Sequence, residues 1–130
     1  MKLYVAGPMR GIPFFNFPMF DSVTKVLRFL DHEVFSPAER DNRIHGTDIS
    51  AGNMTGDENQ AMVEHGFSLR LALSADLKFI CEEADGIVML PGWKESKGAT
   101  AEHAAAEALG LKMIYLHHEK TGKGFIWEGL

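Results

Sequence analysis

Two acidic side chains and two glycine-bearing loops carry the chemistry legible in this sequence. Glu102 stands four residues after Gly98, so in a helix that starts there both point to one side of its first turn. The small neighbours Ala99, Ala101, Ala104, Ala105 and Ala106 leave space around that carboxylate. Asp76 interrupts the apolar series Leu69, Leu73, Ile80 at a core-facing position. Burying a carboxylate is costly unless it is paired or used. Asp76 therefore either serves a site or turns to the rim and caps a local N–H. Two carboxyl groups at one pocket are what glycosidic cleavage needs, one attacking the anomeric carbon while the other handles the proton.

The loops offer anion sites. Gly7-Pro8-Met9-Arg10-Gly11 lets a backbone approach a ligand closely and adds one cation, although the same residues also suit a plain tight turn. Ser96 precedes Lys97-Gly98-Ala99 and reads as a helix N-cap. A helix N-terminus with free N–H groups, a hydroxyl and a glycine can hold a phosphate, and simple capping is the alternative. Trp93, within Pro91-Gly92-Trp93, can stack on a base, cover a pocket or pack at a subunit contact. His103 follows Glu102 but points about 100° around the helix and is expected to be exposed. His117 and His118 are adjacent in a strand and face opposite sides, and no Cys/His spacing resembles a zinc site. Neither a metal nor a cofactor is expected. Cys81 is expected as a small buried hydrophobe, with nothing nearby to lower its pKa.

These residues need a scaffold that brings them together. Leu3, Tyr4 and Val5 predict a strand over Lys2–Ala6 that ends at Gly7-Pro8. Asn16 as cap and Pro18 in the first turn start a helix to about Leu30, with Phe20, Val23, Leu27 and Leu30 on its buried face. Glu33–Phe35 reads as a second strand ended by Ser36-Pro37, Phe67–Ala84 as a helix, and Gly86–Leu90 as a buried strand. Gly98–Leu109 and Lys112–Leu116 read as a further helix and strand. Strands alternating with helices predict an α/β domain with a parallel sheet of four to five strands covered on both faces. Open sheets of this kind bind ligands beyond the C-terminal ends of their strands, where Gly7–Gly11 and Pro91–Gly98 lie. Residues Ala38–Gly66 break the rhythm and hold four glycines, three asparagines and no sustained apolar period. They are expected to form a mobile substrate lid or an insertion within a single domain over 1–130.

The bulk numbers narrow the partners. The chain has 130 residues, enough for one core, and carries 13 Lys and Arg against 18 Asp and Glu for a net charge of −5. Polymeric nucleic acid is an unsuitable partner for such a balance, whereas a single nucleotide needs only a few N–H groups and one arginine. The lone cysteine cannot form an internal disulfide, and no apolar run is long enough for a signal h-region or a membrane span. The expected compartment is the cytoplasm, with no membrane partner.

The segments Tyr4–Gly11, Asn16–Pro18, Asp76 with Ala84-Asp85, and Leu90–Ala99 followed by Glu102 occur together in this order. The set resembles the nucleoside 2-deoxyribosyltransferase superfamily, and in particular a phage and bacterial branch of small proteins carrying the same Leu90-Pro91-Gly92-Trp93 motif. The resemblance covers about two thirds of the chain and leaves Ala38–Gly66 aside. It implies a flavodoxin-like or Rossmann-like fold, with Glu102 as the nucleophile that forms a covalent deoxyribosyl intermediate. It also implies that Tyr4 positions that carboxylate and that Asp76 assists protonation of the departing base. Gly7, Pro8, Met9, Arg10 and Gly11 are similar to the phosphate loop of the 2'-deoxynucleoside 5'-monophosphate N-hydrolases, where a serine takes the place of Pro8. Ser96 and Gly98 match a serine and a glycine near that phosphate. Transferases of free nucleosides carry an aspartate where Ser96 stands, so the resemblance points to a nucleotide. The implied activity is hydrolysis or transfer at the N-glycosidic bond. The alternatives are a non-catalytic nucleotide-binding module and an N-glycosidase of ribonucleotides or nicotinamide nucleotides. The dimers of the relatives imply a homodimer or higher homo-oligomer.

Overall fold

Strand β1 (Lys2–Ala6) shows how the molecule is layered. Successive side chains on a strand point to opposite faces, so Leu3 and Val5 enter one hydrophobic cluster while Tyr4 and Ala6 enter another. The structure is a computed structural model describing residues 1–46, 48, 50–57, 60 and 68–130. Helix α1 (Phe17–Phe29) covers the Leu3 and Val5 face with Phe17, Phe20, Val23 and Leu27. The Tyr4 face is covered by α3 (Leu69–Glu82), through Ile80, and by α4 (Lys97–Ala108), through Ala99 and Ala106. Strand β3 (Gly86–Met89) is buried throughout and feeds both clusters, Val88 to the first, Ile87 and Met89 to the second.

The sheet order is β2-β1-β3-β4-β5, with β2 at Glu33–Phe35, β4 at Lys112–His118 and β5 at Phe125–Glu128. The first four strands pair in parallel, with Leu3 opposite Gly86 and Tyr4 opposite Ile87 in the central pair. This is a flavodoxin-like α/β fold, in which the connection direction reverses between β1 and β3 and opens a crevice at their C-terminal ends. The expected fully parallel sheet ends differently: β5 runs antiparallel to β4. Only a short link joins the two strands, Glu119 N–H donating to Gly124 O at 2.9 Å, and a parallel return would require a long crossover. Among the described residues no helix is long and apolar enough to cross a membrane.

The first part of the stretch read as irregular is a helix, α2 (Pro37–His45). Ser36 at its N-cap, Pro37 in its first turn and Glu39 three residues beyond the cap are ordinary start signals. Gly46, at φ 68°, ends it. No apolar stripe accompanies those signals because the buried residues Ala38, Arg40 and Asp41 are small or charged. Further along, the described residues 50–57 pack on the loop after β1. Gly11 N–H donates to Gly56 O at 2.9 Å and Phe14 N–H to Asn53 O at 2.7 Å, and Asn53 is buried. The lid expected over 38–66 falls in part on residues outside those described.

Two glycines separate packing from backbone preference. A Cβ on Gly56 would lie 2.2 Å from Ile12 O and 2.5 Å from Ile12 N, and φ there is +70°. A Cβ on Gly11, at φ +78°, would meet nothing within 4 Å. Gly11→Ala should therefore cost only the left-handed penalty, about 1–2 kcal/mol. Gly56→Ala must also displace the Ile12 backbone and should lower the urea midpoint further. Equal midpoints for the two variants would show that residues 50–57 do not clamp the loop.

Candidate active site

The Tyr4 side chain is the fixed point of the site. Its ring is fully buried, stacked on Phe35 at 5.6 Å and flanked by Phe79 at 6.3 Å, which leaves the hydroxyl as the polar end. That hydroxyl donates a hydrogen bond to Glu102 Oε2. Glu102 reaches it from the second turn of α4, and Asp76 from the middle of α3, both helices on the Tyr4 face of the sheet. The expected companions thus meet: Tyr4, Asp76 and Glu102 line one cleft. The rim-capping alternative for Asp76 does not occur, since the residue is 7% exposed and faces the other acids.

Two further charged residues complete the cluster, and the sequence reading missed both. Arg40 and Asp41 come from α2, and each is about as buried as Glu102. Arg40 Nη2 stands 2.9 Å from Asp76 Oδ1 and 2.9 Å from Asp41 Oδ1. These are ion-pair contacts at angles outside good hydrogen-bond geometry, since among the described residues Arg40 Nη2 and Asp76 Oδ1 have no hydrogen-bond partner. The Ser36-Pro37-Ala38-Glu39 start signature was the available clue to this helix, and a charged pair inside it was the clue to a site.

The cluster holds three carboxyls and one guanidinium away from water. Burial raises all three acids above their ordinary range, Asp41 to about 7. The Asp76 charge raises Glu102 further, while the Tyr4 hydrogen bond lowers it. Arg40 lowers all three. Burial together with the two acids holds the Tyr4 hydroxyl well above its usual value, so it stays a hydrogen-bond donor. Asp76 and Glu102 behave as one pair of acids sharing protons, in which neither titration belongs to a single residue.

The cleft holds about 680 Å³ of space, part of it open to solvent. Tyr4, Asp41, Asp76 and Glu102 line it together. Apolar Phe15, Phe17, Phe20, Leu69 and Leu73 line it as well, and so do Gly7, Met9, Arg10, Ser96 and Gly98. The two expected anion-binding segments therefore converge. Within the loop the roles diverge. Gly7 is demanded by packing, because a Cβ there would lie 2.7 Å from Leu90 Cβ. Pro8 is buried and borders a neighbouring depression with Pro91, Gly92 and Lys97, rather than the acidic cleft. Arg10 and Ser96 border both. Gly11 spends its N–H on Gly56. Ser96 caps α4, its Oγ accepting from Ala99 N–H at 3.2 Å. A Cβ on Gly98 would meet nothing within 4 Å.

Asn16 departs from its expected role. It occupies the N-cap position of α1, but at φ 60° its side chain makes no cap bond. Instead Asn16 Nδ2 donates to Pro8 O at 3.0 Å, tying the start of α1 to the loop. Phe14 and Phe15 are also left-handed, at φ 55° and 52°. Such a conformation costs about 1–2 kcal/mol per residue. It turns the chain tightly enough to place both Phe15 and Phe17 on the cleft wall.

Trp93 does not line the cleft. Its ring stacks on His103 at 4.2 Å, and the His103 Nε2 shares a 2.8 Å hydrogen bond with the Tyr115 hydroxyl. His103 is thus half-buried rather than exposed. Conversely, Cys81, expected in the core, is exposed on the outer side of α3.

The family described as "Domain of unknown function (DUF4406)" matches residues 1–115, and the chain belongs to that family. No curated protein and no solved structure matches it.

A pH dependence of stability follows from the buried acids. A carboxyl whose pKa is raised on folding binds more protons in the folded state. Its contribution is then complete below the unfolded value and is lost as pH rises through the folded one. For Asp41 that window runs from about 4 to about 7. Stability should fall across it, and Asp41→Asn should flatten the fall. Urea midpoints that rise over this window in the wild type would show that the acids are not buried as described.

Proposed function

We propose that this chain cleaves the N-glycosidic bond of 2'-deoxynucleoside 5'-monophosphates, with Glu102 as nucleophile and Asp76 as the proton donor to the departing base. The observation that carries this reading is the Tyr4–Glu102 hydrogen bond beside Asp76 in a cleft that also opens onto Arg10, Ser96 and Gly98. The buried hydroxyl holds one carboxylate oxygen in place, and a held nucleophile avoids much of the entropic cost of attack.

The reaction is a retaining, two-step displacement. A Glu102 oxygen bonds to C1' as the C1'–N bond breaks, and its electron pair leaves with the base, which takes the proton of Asp76. Water then attacks C1' of the glycosyl ester. The C1'–Glu102 bond breaks, the electron pair returns to the carboxylate, and the water proton passes to Asp76. A second base in place of water would make the same intermediate a transfer reaction, and the phosphate-side residues favour the hydrolytic form. The reactive state carries one proton on the pair, located on Asp76. In the free protein burial and the Asp76 charge raise Glu102, while Arg40 and the hydrogen bonds from Tyr4 and Glu102 lower Asp76. The proton therefore rests on Glu102 and must pass to Asp76 to form that state.

The phosphate belongs at the mouth of the crevice. Arg10 is exposed at the rim, where the loop after β1 faces the N-terminus of α4. A helix N-terminus and one guanidinium suit a phosphate. The apolar lining residues Phe15, Phe17 and Leu73 suit the base and the face of the sugar.

Incubation with a panel of deoxynucleotides and ribonucleotides, followed by chromatography for free base, tests the activity. Glu102→Gln should lower turnover by orders of magnitude in a folded protein, and full activity in that variant would end the covalent mechanism. Removing Arg10 should cost about ten- to a hundredfold in kcat/KM on 5'-monophosphates and little on free nucleosides. Equal losses on both would assign Arg10 to the loop's shape instead.

The pair of acids also predicts a bell-shaped rate profile. On the acid side both carboxyls are protonated and no nucleophile remains, and on the alkaline side Asp76 has no proton to give. Asp76→Asn should abolish the alkaline limb. It should slow natural substrates by roughly 10²–10⁴-fold and slow far less a deoxyribosyl phosphate whose leaving group needs no proton. Equal slowing of both substrates would make Asp76 a positional residue.

A further inference from the structure

Arg40 is a buried cation that no part of the reaction above uses. It is 4% exposed, comes from α2, and does not line the cleft. From behind the cleft wall, one of its nitrogens reaches both Asp76 and Asp41 at 2.9 Å. We infer that Arg40 is a positioning residue that clamps Asp76 and Asp41 from behind and determines how many protons the cleft acids carry at neutral pH. The inference rests on the reading of Asp76 as proton donor.

The choice of side chain fits the task. A guanidinium keeps its proton at every pH the protein meets, and its planar fork can address two carboxyls at once. A lysine would offer a point charge that burial can neutralise. The charged groups that act on Arg40 come from three helices: Asp41 from its own, Asp76 from α3 and Glu102 from α4, the last held by the Tyr4 hydroxyl of β1. On the α1 side, Arg28 binds Glu39 at 2.7 and 3.0 Å, which turns that acid of α2 toward a different cation.

The electrostatic consequence concerns the nucleophile. Burial drives Asp76 and Glu102 to keep protons, and a pair holding two has no carboxylate to attack with. Arg40 opposes that drive at both acids. The negative charge on Asp41 acts the other way and raises Glu102. The Arg40–Asp41 pair is thus a matched source of opposite influences placed next to the acids that react. Its presence makes the active protonation state a property of α2, a helix that supplies neither the nucleophile nor the proton donor.

The test is a carboxyl carbon NMR titration of the full chain, paired with the pH–rate profile. Arg40→Met should move the Asp76 and Glu102 titrations to higher pH by roughly one unit, a tenfold change in proton affinity. Both limbs of the rate profile should move in the same direction. Asp41→Asn should move the Glu102 titration to lower pH, and the double variant Arg40→Met with Asp41→Asn should return it toward the wild type. A loss of rate or stability in Arg40→Met with an unmoved titration would overturn the inference and leave Arg40 as packing alone. Should Arg40→Met not fold, Asp41→Asn decides, and an unmoved Glu102 titration there overturns it equally. The titration needs no turnover. A wild type that releases no base from any nucleotide therefore fails the proposed activity, while the titration still judges Arg40.

Discussion

The desolvation of three carboxyl groups around a single guanidinium constrains the rest of the site. If Asp41, Asp76 and Glu102 were all ionised, Arg40 could neutralise only one of them, and like charges in a poorly hydrated space repel far more than in water. The cluster therefore retains protons into the neutral range, and it does so because of where the chain puts it. A buried ion pair of this kind contributes little net stability. What it supplies is a carboxyl at Asp76 paired with Arg40 and a carboxyl at Glu102 held by Tyr4, both on the same cleft.

The sheet explains how four separate elements come to serve one cluster. Tyr4 points to the α3 and α4 face because strand side chains alternate, and its neighbour Ile87 on β3 lies on the same face. The reversal of connection direction between β1 and β3 then leaves the ends of those strands uncovered by a crossover helix. The loops that follow them, at Gly7–Gly11 and at Pro91–Ser96, form the two sides of the opening. Packing and the cleft share the same residues here. Gly7 is small because Leu90 presses on it, and Ser96 caps α4 with the hydroxyl that borders the cleft.

Holding that opening in shape costs local strain. A run of left-handed residues at Phe14, Phe15 and Asn16 turns the chain from the loop into α1. It persists because hydrogen bonds from outside the run fix it: Asn53 O accepts from Phe14 N–H, and Asn16 reaches back to Pro8 O. Residues 50–57 thus act through the loop they brace, and Gly56 must lack a side chain to lie against Ile12.

The sequence by itself determined the layered α/β fold, because apolar periodicity and strand alternation are local properties that burial of one face enforces. It also determined Glu102, Asp76 and the two loops as companions, since an acid in an apolar stripe and a serine before a helix are unusual enough to stand out. It did not reveal α2, whose inward residues Arg40 and Asp41 look like surface charges when no partner is visible. Nor did it separate His103, held by Trp93 and Tyr115, from an exposed histidine, or Cys81 from a core residue. Asn16 showed the right residue type for a helix cap, yet its bond goes to Pro8. Each of these outcomes depends on contacts between residues distant in the chain. A charge becomes part of a site only when folding removes its water and places an opposite charge at 2.9 Å, as it does for Arg40 and Asp76, and that is a fact of tertiary structure alone.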